Sequence, residues 1–140
     1  MDHSAKLVYN DRCISFENFR HYAEDAAAGS PYNTALDVRI ISGSFSGYGR
    51  CECDIKNFKK FVAELQALYH FKRSTVDFFD ICYGSELHID MSKTGQLTLR
   101  GVLHGEEMLQ SLTFEFNADQ TVLPPFIAKL QEWIAYENNH

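Results

Sequence analysis

The sequence predicts an α+β fold: an antiparallel sheet of about six to eight strands, with two amphipathic helices packed on one face. Three observations carry this expectation. Several segments alternate apolar and polar residues with period two. The connectors between some of them are too short for a helical crossover, which makes those strands antiparallel neighbours. Two longer segments switch to helical period, each with a single apolar stripe.

The elements follow in chain order. "KLVYN" and "CISFENF" read as short strands, and "AEDAAAGSPYNT" after them reads as a loop. A rival reading makes 18–28 a short helix, with Phe19, Tyr22 and Ala26 on one side and Gly29 and Pro31 ending it. In "ALDVRI", Leu36, Val38 and Ile40 face one way, opposite Asp37 and Arg39. In "YGRCECDI", Cys51, Cys53 and Ile55 alternate with Arg50, Glu52 and Asp54. "VDFFDICY", residues 76–83, reads as a more fully buried strand. "ELHIDM" alternates Leu87, Ile89 and Met91 with Glu86, His88 and Asp90. Leu97, Leu99 and Leu103 share a face in "QLTLRGVL". So do Leu112, Phe114, Phe116 and Ala118 in "SLTFEFNA". Such strands lay one side on a core and leave the other wet.

Phe58, Phe61, Val62, Leu65, Leu68 and Tyr69 form the stripe of the first helix, with Asp54 placed as its N-terminal cap. Leu123, Phe126, Ile127, Leu130 and Ile134 form the second. Its start is written into "DQTVLPPF". Asp119 or Thr121 supplies a side-chain oxygen for the free amides, and Pro124 and Pro125 occupy the first turn, where their missing N–H groups had no helical partner. That stretch lacks the glycines of a phosphate-cradling loop and is a connector.

The chain has 140 residues, 45% apolar and 23% charged, and is read as one domain over residues 1–140. At that length it buries enough surface to fold without a metal or disulfide, and no cofactor is called for. The formal charge of −6 repels nucleic acid and attracts a basic partner. No run approaches a membrane span, and the first residues lack the pattern of a signal peptide, so a cytoplasmic location is expected. Cys13, Cys51, Cys53 and Cys82 are then reduced thiols.

The motifs that suggest chemistry have plain structural readings. Glu86, His88 and Asp90 project from one strand face and, with His104, have the residue types of a metal or acid–base site, but polar residues on any wet sheet face alternate in the same way. "CEC" puts two thiols on an apolar side, where cysteine packs as a small hydrophobe. The glycines of "SGSFSGYG" are flanked by strand on both sides, which fits a bulged hairpin or bent strand better than a phosphate loop. There is no G-x-S-x-G elbow, no cysteine has a histidine partner fixed by spacing, and His3 and His140 lie at the chain ends.

Several phrases in sequence order resemble a known family: "SGSFSG", the aspartate-led "DIKNFKKFVAEL", the "YGS" turn and "FEFNADQTVLPPF". The chain is similar here, over about Leu36 to Ile134, to the WapI-like family of small bacterial immunity proteins, partners of polymorphic toxins. The resemblance implies a non-enzymatic protein that neutralises a cognate toxin by direct binding, with no catalytic residues to assign. The wet face of the later strands, Glu86, His88, Asp90, Arg100 and Glu115, is then the expected contact surface for a toxin, and the net charge makes a basic one the expected partner. An exposed edge strand could also pair with itself in a homodimer. The alternative expectation is a small metal-dependent or acid–base enzyme built on Glu86, His88 and Asp90.

Overall fold

The structure, a computed structural model, describes residues 3–139. His140 and the first two residues of the leader reading lie outside that range. Strands β1 (Ala5–Tyr9), β2 (Arg12–His21), β3 (Thr34–Ser42) and β4 (Phe45–Cys53) form one antiparallel meander. Strands β5 (Thr75–Phe79), β6 (Glu86–Met91), β7 (Gln96–His104) and β8 (Ser111–Asp119) form a second. The α+β class and the antiparallel pairing are as expected, but the eight strands of the described residues are shared between two sheets. Helix α2 (Ile55–Tyr69) stands in the chain between the two sets, and among the described residues no ladder joins β4 to β5. Helix α3 (Leu123–Asn139) closes the chain, and a short helix α1 (Ala23–Ala27) sits between β2 and β3.

Each sheet turns its apolar face inward. Ile14, Phe16, Leu36, Val38, Ile40, Cys51 and Cys53 belong to the same core as Val76, Phe78, Leu87, Ile89, Leu97 and Leu99. The predicted stripe of α2 is buried from Phe58 to Leu68, and that of α3 from Leu123 to Leu130. The helices pack on each other; α2 lies on β5 and α3 on β1. Phe16 is where the layers meet: its ring centroid lies 5.3 Å from Phe78 of β5, 5.2 Å from Phe126 of α3 and 6.1 Å from Phe61 of α2. A fully buried phenylalanine contributes about 2–3 kcal/mol through area alone, so this junction is a main source of cohesion.

The local start signals work as the sequence suggests. Asp54 Oδ1 accepts from the Lys56 N–H, capping α2. Asp119 accepts from the Thr121 N–H and hydroxyl, opening a 3₁₀ turn (Gln120–Val122) that leads into α3. Gly43, at φ +63°, makes the tight turn between β3 and β4, whose register runs without a bulge. The segment is thus a hairpin, as one of the two readings has it, but without the expected bulge. A Cβ at Gly49 would stand 2.8 Å from the His104 carbonyl oxygen, so that glycine lets β4 press against the end of β7.

The bulge lies in β2 instead, between Glu17 and Arg20, with Asn18 at φ +53°. The extra residue turns Phe19 inward, where it stacks on Trp133 at 5.2 Å and meets Phe58 at 4.9 Å. A strand therefore runs to His21, where the rival reading put helix from residue 18. Within the stretch read as a loop, five residues form α1, which buries nothing.

The reading of 76–83 as a fully buried strand is also corrected. β5 ends at Phe79, and its burial alternates, with Thr75, Asp77 and Phe79 outward. Asp80 begins a turn rather than continuing the strand. Its buried carboxylate accepts N–H groups from Glu52, Cys82, Tyr83 and Ser85 at 2.9, 3.0, 3.0 and 3.4 Å. The Ile81 N–H donates to the Glu52 carbonyl. These bonds tie the rim of one sheet to the other.

Candidate functional site

The residues expected to meet a partner all fall on the outward face of the second sheet. Cross-strand register sets Asp77, His88, Arg100 and Glu115 in one row across β5, β6, β7 and β8. Glu86 and Asp90 flank His88 on its own strand. His88 Nδ1 stands 2.6 Å from Asp77 Oδ1, and since a carboxylate only accepts, that nitrogen carries the proton. Its Nε2 lies 3.9 Å from Glu86. Arg100 Nε lies 3.7 Å from Asp90, and the edge of Phe79 meets the His88 ring at 5.8 Å between centroids.

Four carboxylates of this face, Asp77, Glu86, Asp90 and Glu115, stand against the single guanidinium of Arg100. Asp77, Glu86 and Asp90 side chains are 47%, 43% and 42% exposed, and Glu115 is exposed. The face is a solvated, acidic surface. Among the described residues, no group of three or more His, Cys, Asp or Glu side chains is placed to hold a metal ion. His104 therefore does not complete a ligand set with Glu86, His88 and Asp90. Its backbone N–H is held by Ser85 Oγ at 2.9 Å.

The outward face of the first sheet is built differently. Asp37 Oδ2 accepts from Tyr48 Oη at 2.7 Å and from Asn18 Nδ2 at 2.9 Å, and Asp37 Oδ1 lies 3.3 Å from Arg20. Arg39 reaches Glu17 at 3.3 Å and lies 4.5 Å above the Tyr48 ring. Arg50 pairs with Glu52 at 3.3 Å. Burial would raise the pKa of Asp37, but the donors Asn18, Tyr48 and Arg20 outweigh it and hold the carboxyl below its ordinary value. The hydrogen bond to Asp37 is the largest cause of an upward shift at Tyr48. This network was not anticipated from sequence.

The two thiols of "CEC" are buried in the core, as their shared apolar side predicts. Burial is the main cause of raising both, and Cys53 is pushed up to about 12. Neither is a nucleophile at neutral pH. Sequence reading missed Asp77, which the buried-strand assignment had absorbed. The signal was present: T-V-D-F-F alternates, and the Gly84-Ser85 pair that follows marks the turn.

Among the described residues, no helix is long and apolar enough to cross a membrane. A family model described as the immunity protein WapI-like family matches residues 14–136, so the likeness begins in β2, well before Leu36. The comparison with curated proteins gave no match, and neither did the comparison with solved structures.

Proposed function

This chain belongs to the WapI-like immunity protein family, and from that membership we propose that it is a non-enzymatic cytoplasmic protein that neutralises a cognate bacterial toxin by direct contact. The observation that supports a contact surface is the unbalanced acidic face of the second sheet. Glu86, His88, Asp90, Arg100 and Glu115, joined by Asp77, would meet a basic surface of the toxin. A field of exposed carboxylates steers a basic partner into encounter and makes association fall with salt. The same field works against nucleic acid.

The test is copurification with the toxin domain encoded beside the immunity gene, at low salt, for the natural chain and for a Glu86→Lys, Asp90→Lys, Glu115→Lys triple variant. A tight complex that the triple variant loses supports the reading. Absence of any complex at low salt would overturn it, and a complex indifferent to all three reversals would move the contact to another face.

A further inference from the structure

We propose that the free edge of β5 accepts an extended segment of the toxin as a fifth strand of the second sheet. This rests on the toxin-binding reading above and names how part of that contact is made. At the two ends of β5, Met91 N–H donates to the Ser74 carbonyl and Asp80 N–H donates to the Ser85 carbonyl. Backbone groups of an antiparallel strand alternate sides, so Val76 and Phe78 bond β6, while Thr75, Asp77 and Phe79 aim theirs away from it. Arg73 Nε donates to the Thr75 carbonyl at 2.9 Å and blunts one end of this edge. The Ile81 N–H, bonded to Glu52, closes the other. Between these stops, the N–H and C=O groups of Asp77 and Phe79 have no partner among the described residues.

The open window faces a cleft of about 350 Å³ between β5 and α2, lined there by Lys60, Phe61 and Glu64. Backbone groups set at strand spacing are recognised by another strand, and alternate side chains of the newcomer set its specificity. On the outward side the newcomer would meet the exposed Asp77 carboxylate, held on its other side by His88, and then the exposed Phe79 ring, which lies opposite Glu86. The fitting segment carries a basic residue opposite Asp77 and an apolar one two positions away opposite Phe79. The acidic face and the edge thus form one continuous surface.

Amide hydrogen exchange on the full chain, alone and with the toxin domain encoded by the neighbouring gene, tests this. The Asp77 and Phe79 amides should exchange at least tenfold more slowly in the complex. Phe79→Pro removes an edge donor without touching a bond to β6, and it should weaken the complex at least tenfold. If that variant fails to fold, the exchange measurement on the natural chain still decides. A complex that leaves both amides fast overturns strand addition while the toxin-binding reading stands; no complex overturns both. Protection that grows with the concentration of the protein alone, together with a dimer by light scattering, would assign the edge to a second copy and overturn the toxin as its occupant.

Discussion

The two sheets share a build, four antiparallel strands with one face on the common core, yet they spend their outward charges in opposite ways. On the first, Glu17, Asp37 and Glu52 are matched by Arg39, Arg20 and Arg50, and the carboxylate side chains are only 14–21% exposed. On the second, the Asp77, Glu86 and Asp90 side chains are at least twice as exposed, and the carboxylates outnumber Arg100. A face whose charges are satisfied internally has little to offer a partner, because binding would have to break bonds already made. A face with surplus, hydrated charge can recruit one at small cost. The comparison leaves the first outward face bonded within itself and the second with carboxylates in surplus, which is what favours the second as the proposed contact surface.

The largest effect is expected at the seam between them. Asp80→Ala leaves four backbone N–H groups without their acceptor, and unfolding by urea should show a loss of about 3 kcal/mol or more. Asp80→Asn, which keeps an acceptor oxygen, should recover part of it. If Asp80→Ala were neutral, the two sheets would not depend on this node.

Next comes the contrast itself. The triple reversal on the second sheet should weaken the toxin complex at least tenfold, about 1.4 kcal/mol, while its melting temperature stays close to that of the natural chain. Glu17→Lys on the first sheet should do the reverse, lowering the melting temperature and leaving affinity nearly unchanged. Equal effects of both on affinity would erase the distinction between the faces.

Asp37→Asn sharpens the view of the first face. It should cost about 1 kcal/mol at pH 7, read by urea unfolding. The carboxyl is depressed in the folded chain, so its contribution is complete above the unfolded pKa of about 4 and fades as pH falls through the lower folded value. The gap between variant and natural chain should therefore narrow at pH 3. A gap that widens there would contradict the donor network. The smallest effect belongs to His88→Gln. The pair with Asp77 lies on a solvated face and should contribute under about 1 kcal/mol to stability.

Much of the candidate surface was legible because alternation alone puts Glu86, His88 and Asp90 on one side of a strand, and Arg100 and Glu115 on the wet sides of theirs. That they form one row with Asp77 was not, since register between strands is set by pairing partners far apart in the chain. Asp80 was misread for a related reason. Four apolar neighbours in "VDFFDICY" suggested a buried strand, but the carboxylate is buried because distant amides converge on it. The bulge at Asn18 gave no local sign either, and its reason appears only in Phe19 reaching Phe58 and Trp133.

By itself the sequence determined what short-range physics controls: which residues alternate, where the helical stripes run, how Asp54 and Asp119 start their helices and that the chain's surface is acidic. Only the tertiary structure decided that the strands would divide into two sheets, that Asp80 would stitch them together and that one outward face would neutralise itself while the other stayed negative. Propensity and periodicity act over a few residues, whereas charge balance on a face and the satisfaction of a buried carboxylate depend on groups that only the completed fold brings within bonding distance.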